Sequence, residues 1–417
     1  MLTTSLFRVL LTRSFKPFVF SNSNSNKLKY QNLDNLGLYI HIPFCKSICS
    51  FCPYFKVEYD EALAGAYKEA LLKEIDLVCS NQKDKKVVTS LYFGGGTPTL
   101  MLHNLGEVIS KLEEYFCIKE GIGVELHPNE ICEDTLQVLK TSGVSMVSIG
   151  IQSFNDESLD MLGRKNDSFI EKLNLVRTYG FSAVDVDLIF GILKQTESSF
   201  IKDIETAFSH GATQVSTYPF IDFTYTNNQY KPMPERVKKK MLAAVVEYAG
   251  QNNIERTSVW TFAKKGTDKY SSVTRDSFLG FGTSATSLMR DIFKINTFSI
   301  PDYIKHVNEN NLPTSLTLTF TKRQRACYFL FWACYSMWVN SAAFKEMLGE
   351  SPERLYGLEL WIGEKLGMLR RENEGYRLTD KGAYHYHKIE QTYTTAYIDK
   401  SWNISRVQAF PEKIILK

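Results

Sequence analysis

The sequence predicts an α/β protein: a partial (β/α)6, TIM-like barrel over residues 37–315, a short basic segment before it (1–36) and a mostly helical, winged-helix-like domain after it (316–417). Three observations carry that expectation. Strand-like and helix-like stretches alternate six times across residues 38–220. Three cysteines crowd into eight positions directly after the first strand-like run, and a run of three glycines follows the second.

The strand candidates are 38–42 (LYIHI), 90–93 (SLYF), 122–126 (IGVEL), 146–151 (MVSIGI), 183–190 (AVDVDLIF) and 214–220 (QVSTYPF), with helices expected near 61–79, 103–117, 130–141, 155–179 and 197–209. Six such units in series require parallel strands joined by right-handed crossovers, and functional side chains on such sheets gather at the carboxyl ends of the strands. Beyond residue 220 the pattern loosens into a helix at 233–250 and a turn-rich run through 265–300 that contains FLGFGTSATS at 278–287. From 316 onward, helices near 322–339 and 352–367, a strand pair in MLRRENEGYRLT and a helix beginning at Asp380 read as a winged-helix-like unit. Its aromatic richness favours a packing or lid role.

The first 36 residues carry Arg8, Arg13, Lys16, Lys27 and Lys29 but no acid before Asp34, together with Leu6, Leu10, Leu11 and the polar tract SNSNSN at 21–26. Two readings stand side by side. One is an organellar transit peptide; the other is an amphipathic helix that packs on the barrel or touches a membrane surface through residues 1–20. The totals are those of an ordinary globular chain, 417 residues with 44% hydrophobic and 23% charged content and a formal charge of +3. No large basic field argues for nucleic acid, and no apolar run reaches eighteen residues. Eight scattered cysteines fit a reducing compartment, hence the cytoplasm, or an organelle if the start is a transit peptide.

The chemistry centres on Cys45, Cys49 and Cys52, spaced C-x3-C-x2-C. Zinc closes its shell with four ligands, and no second cysteine pair follows; His41 lies in an alternating apolar run and is expected to point into the core. A four-iron cluster held by three thiolates keeps one iron open to a small molecule. The bland alternative is three thiols packed as small hydrophobes. Polar groups inside apolar parallel strands are costly to bury without a partner, which singles out Glu125 in VELHP, Gln152 in GIQSF and Asp187 in DVDLIFG, with Asp185 as a spare candidate. Gly94, Gly95 and Gly96, with Thr97, allow backbone to come close to a ligand. Arg164 in MLGRKN suits a carboxylate, and Tyr39 precedes the cysteine loop.

YIHIPFC with its C-x3-C-x2-C spacing, followed by YFGGGTPT, resembles the radical S-adenosylmethionine (radical SAM) family, in the branch of oxygen-independent coproporphyrinogen III oxidase and HemW. The resemblance implies a 4Fe-4S cluster on Cys45, Cys49 and Cys52. It also implies S-adenosylmethionine (SAM) held by Gly94, Gly95, Gly96 and Thr97 at its amino group and by Glu125, Gln152, Arg164 and Asp187, with a second SAM used in some relatives. Tyr39 matches a tyrosine at the substrate end of the barrel, and Gly280, Gly282 and Ser284 match a segment on its far wall. The implied activity is SAM cleavage to a 5′-deoxyadenosyl radical acting on a tetrapyrrole, with flavodoxin or ferredoxin as electron donor. Alternatives are a radical SAM C-methyltransferase, an anaerobic haem-degrading enzyme and a non-catalytic, HemW-like haem chaperone. The chain departs from the oxidase at Tyr54, where the oxidase carries a further cysteine, and in its short basic start. It departs from HemW in VWTFAKKG at 259–266, which is followed by KYSSVTRDSF without a histidine.

Overall fold

The computed structural model describes residues 2–23, 28–268 and 276–417. Residues 24–26 of the SNSNSN tract and 269–275 of the KYSSVTRDSF run lie outside the described residues. The six expected strands are present as β1 (Leu36–Ile42), β2 (Leu91–Gly95), β3 (Ile122–Leu126), β4 (Val144–Gln152), β5 (Ala183–Phe190) and β6 (Gln214–Pro219), hydrogen-bonded in that order and all parallel. Alternation decides their two faces. Leu38, Ile40 and Ile42 of β1, like Val124, Ile149, Val186 and Val215 on its neighbours, are buried under the surrounding helices, each contributing roughly 2 kcal/mol of apolar burial. Tyr39 and His41, one step out of phase, face a central cavity.

Two expectations are corrected here. FLGFGTSATS is not a turn-rich run: Ser277–Phe281 forms β7, which joins the sheet parallel to β1, and Thr286–Leu288 and Ile292–Asn296 extend it as antiparallel strands. The glycine that made this stretch read as a turn serves the hairpin, because a Cβ on Gly280 would stand 2.2 Å from the Thr286 carbonyl oxygen. The helix expected over 155–179 is two helices, Asp156–Met161 and Phe169–Thr178, broken at Gly163, whose φ of +68° is left-handed. Arg164 sits in that break.

The sheet runs on through Thr314–Thr319 to Phe18–Ser21, which lies antiparallel between that strand and the C-terminal strand Lys413–Leu416. The N-terminal residues Leu2–Thr12 form a helix that rests, not on the barrel as expected of a packed helix, but against the C-terminal helices Lys322–Tyr335 and Asp380–Tyr393. Arg8 is buried and donates to the carbonyls of Ser14, Phe15 and Lys16, satisfying the backbone just past the helix end.

After residue 320 come the helices Lys322–Tyr335, Ser341–Leu348 and Pro352–Lys365 and the expected hairpin Leu369–Glu372 with Gly375–Leu378, to which Trp338–Asn340 adds a third strand. The helix Asp380–Tyr393 continues through a π-helical turn, Thr394–Ile398, into Asp399–Val407. These helices lie across the carboxyl ends of the barrel strands, so the C-terminal region roofs the cavity. No described helix is long and apolar enough to cross a membrane.

Candidate active site

The cavity has a volume of about 1510 Å³, above the range of an ordinary single-ligand pocket. Cys45, Cys49 and Cys52 line it on the loop that leaves β1. All three are free thiols, and burial pushes the Cys45 thiol up to about 11 and raises that of Cys49. Thr97 Oγ1 donates to Cys45 Sγ at 3.7 Å, Lys56 Nζ donates to the Cys52 carbonyl at 2.9 Å, and the Arg164 guanidinium bonds to Cys49. Among the described residues no three Cys, His, Asp or Glu side chains converge on a single-ion position. The three thiols lie within electrostatic reach of one another. Three thiolates without a fourth ligand fit a four-iron cluster with one iron left open better than a closed zinc shell.

The glycine run is locked to the cysteine loop. Gly96 N donates to the Ile42 carbonyl and Thr97 N to the Phe44 carbonyl, both at 2.7 Å, and Gly95 N donates to Glu125 Oε2 at 3.0 Å. Gly95 has φ +115°, and a Cβ there would meet the His41 ring at 2.5 Å, so only glycine serves. Gly95, Gly96 and Thr97 line the cavity; Gly94 lies beneath it, against Tyr92 and Glu125.

Strand register then assembles the carboxyls. Glu125 of β3 stands opposite Ser148 of β4, and Ser148 opposite Asp185 of β5. Glu125 Oε1 accepts from the Tyr92 hydroxyl at 2.8 Å, Asp187 Oδ2 from Ser148 Oγ at 2.9 Å and Asp185 Oδ2 from Ser216 Oγ at 2.7 Å. Burial raises all three: Glu125 to about 7, Asp185 upward, and Asp187 furthest because the charges of Asp185 and Glu125 add to burial. Gln152 ends β4 with φ +73°, just past a bulge at Ile151, and the bulge re-aims its side chain into the cavity. Arg164 is 9% exposed, and its Nη2 is buried without a partner; such an orphaned donor pair is what a ligand carboxylate would complete.

The cysteines, the glycine run with Thr97, Glu125, Gln152, Arg164, Asp185, Asp187 and Tyr39 fall in one place, with Gly94 one step behind the surface. Tyr39 donates its hydroxyl to His41 Nδ1 at 2.9 Å, and His41 Nε2 bonds the Phe55 carbonyl at 3.0 Å. His41 is kept neutral by burial, which lowers it to about 4. It is therefore a buried positioning group for Tyr39. Tyr54 is half exposed, yet its open surface faces the interior, among Cys52, Glu125, Asp187 and Tyr335. Of the far-wall residues, Ser284 lines the cavity; Gly282 instead donates its N–H to the buried Glu74 at 2.7 Å. Sequence reasoning missed Ser148, Ser216, Tyr218, Tyr335 and Glu390, which line the same space. No spacing marks them, because they come from distant strands and from the roof.

Comparison with known proteins agrees. The model of the radical SAM superfamily matches residues 39–207. The haem chaperone HemW of Bacillus subtilis is 26% identical over 364 residues, covering 82% of this chain and 95% of that protein. The oxygen-independent coproporphyrinogen III oxidase of Pseudomonas aeruginosa is 26% identical over 384 residues, covering 83% of each. Among solved structures, the coproporphyrinogen III oxidase HemN of Escherichia coli superposes with a TM-score of 0.72 at 22% identity, covering 93% of this chain and 98% of that one. Residues 39–207 therefore form a radical SAM domain, in a HemN-like fold whose relatives include haem chaperones and oxygen-independent coproporphyrinogen III oxidases.

Proposed function

We propose that the protein is a radical SAM enzyme acting on a tetrapyrrole. The observation that carries this is the single cavity that brings three cysteine thiols, the glycine run, an orphaned arginine donor and a row of carboxyls together under an aromatic roof. Cys45, Cys49 and Cys52 would hold the 4Fe-4S cluster. Given one electron from an external donor, cluster and SAM bound together would supply a 5′-deoxyadenosyl radical able to abstract hydrogen from a substrate carbon.

The chain's own residues hold and orient. Arg164 would complete its donor pair on the methionine carboxylate. The N–H groups of Gly95, Gly96 and Thr97 are already committed to the protein, so the glycine run would meet the amino group through carbonyl oxygens. Glu125 and Asp187 accept from hydroxyls today and would do the same for a ribose, with Gln152 beside them. Tyr39, held by neutral His41, faces the space left for substrate. The roof helices exclude water from that space.

The test is anaerobic reconstitution with iron and sulfide, followed by dithionite and SAM. About four irons per chain and release of 5′-deoxyadenosine are expected, both lost in Cys49→Ala. Retained cleavage in that variant would overturn the reading. A second reading, a non-catalytic haem chaperone, is favoured by the nearly full-length match to HemW; it expects tight haem binding and no 5′-deoxyadenosine.

A further inference from the structure

One wall of the cavity carries a polar line from the sheet to the roof: Asp185, Ser216, Thr261, Tyr335 and Glu390. Ser216 Oγ donates to Asp185 Oδ2 and stands 3.4 Å from Thr261 Oγ1. The Tyr335 hydroxyl bonds with Ser258 and Thr261 and lies within electrostatic reach of both Asp185 and Glu390. Glu390, on the roof helix Asp380–Tyr393, takes a 2.8 Å hydrogen bond from Thr394 Oγ1 on Oε1, while its Oε2 is buried without a partner. Asp185 has the Gln214 side chain and the N–H groups of Val186 and Ser216 around it as well, with Oδ1 left outside hydrogen-bond geometry. An unsatisfied buried acceptor costs about 1–3 kcal/mol, and here one stands at each end of that polar line. The π-helical turn Thr394–Ile398 begins four residues after Glu390; such distortions recur at functional sites. The rings of Tyr54, Tyr218, Phe331 and Trp332 line the space as well.

We propose that Asp185 on the barrel and Glu390 on the roof, with Tyr335 between them, form a binding site for the hydrogen-bond-donating pyrrole nitrogens of a tetrapyrrole bound with its ring puckered. This deepens the tetrapyrrole reading and rests on it. Pyrrolic N–H groups are the donors such a ring carries, and puckering tilts them out of the ring plane toward the acceptors the protein leaves open. Substrate carboxylates are repelled from this wall and belong elsewhere in the cavity. Glu390 touches substrate in this assignment, and no residue given to SAM is involved.

The experiment compares metal-free coproporphyrin III, which carries N–H donors, with its palladium(II) complex, which has none and takes no axial ligand. Binding to the anaerobically reconstituted full chain is followed by tryptophan quenching. The parent is expected to prefer the metal-free ring at least about tenfold, the worth of one buried hydrogen bond. Glu390→Leu brings that ratio toward one and leaves SAM affinity unchanged. Because the buried Glu390 carboxyl has the Thr394 hydroxyl as its one hydrogen-bond donor and leaves Oε2 unmet, the variant's melting temperature holds or rises; Asp185→Asn lowers the ratio in the same direction. The site is overturned if the parent binds both rings equally, or if Glu390→Leu keeps the ratio and melts lower, which would make Glu390 structural. If the parent binds neither ring, the tetrapyrrole reading itself falls and the site falls with it.

Discussion

Arg164 shows how much one side chain can depend on its neighbours. Buried against Cys49 with Nη2 open, it would offer a ligand carboxylate a fork that lysine lacks. Arg164→Lys is expected to weaken SAM binding at least about tenfold by calorimetry, the loss of one charge-assisted hydrogen bond. Buried carboxyls set the pH response. Glu74, Glu125 and Glu390 all rise from 4.5 to about 7, burial being the first cause in each. In that window the folded state holds more protons than the unfolded one, so their contribution to stability falls as pH rises from about 4.5 to about 7. Each replacement of one of them by a neutral residue should flatten the slope of melting temperature over that range. Glu74 is the exception in kind, because its oxygens take hydrogen bonds from Gly282 N, Asn296 Nδ2 and the Tyr303 hydroxyl. Glu74→Leu therefore leaves three buried donors unmet and should cost at least about 3 kcal/mol by denaturant titration.

At the scale of elements, the cysteine loop is held from two sides. The glycine run pins its start, and Gly95→Ala should destabilise the chain by about 2 kcal/mol or more, since it combines a left-handed φ with a clash on His41. The last helix pins its end. Arg406 donates to the Pro53 carbonyl, one residue past Cys52, and stacks 4.5 Å over Tyr225 and 5.7 Å over Phe55 and Phe298. Asp399, on the same helix, accepts from Thr224 N at 2.8 Å and Thr224 Oγ1 at 3.0 Å. Arg406→Met should leave the far-ultraviolet spectrum intact but speed iron loss from the reconstituted protein to a chelator. Unchanged iron release would show that the glycine run alone holds the loop.

For the whole molecule, the two ends of the chain meet. Phe18–Ser21 fills the slot between Thr314–Thr319 and Lys413–Leu416, so removing residues 2–21 exposes two strand edges together with the roof helices beneath Leu2–Thr12. The truncated chain is expected to aggregate, or to be cut by protease first in the C-terminal region while the parallel strands persist. Equal protease resistance in both forms would show that the N-terminal strand is dispensable. The roof itself is tied to the barrel by a buried group. Trp260 Nε1 donates to His387 Nδ1 at 2.9 Å, and Glu235 accepts from Gln391 Nε2 at 3.1 Å beside His387 Nε2.

What the residues alone determined was local or periodic. Alternation of apolar residues placed six parallel strands to within two or three positions, because one face of each must be buried. Tight cysteine spacing and a glycine run named the donor set, since both are legible within a dozen residues. Polar residues stranded in apolar strands, Glu125, Gln152 and Asp187, pointed inward for the same reason. Tertiary structure decided the rest. β7 was hidden because its glycine serves a hairpin partner that only pairing reveals, and the break that presents Arg164 rests on a single left-handed glycine inside a helical pattern. Glu390 and Tyr335 had no signal, being ordinary helix residues until the roof folds over strands that lie far earlier in the chain. A side chain's role is readable in sequence when its partners are neighbours, and is fixed by packing when they are not.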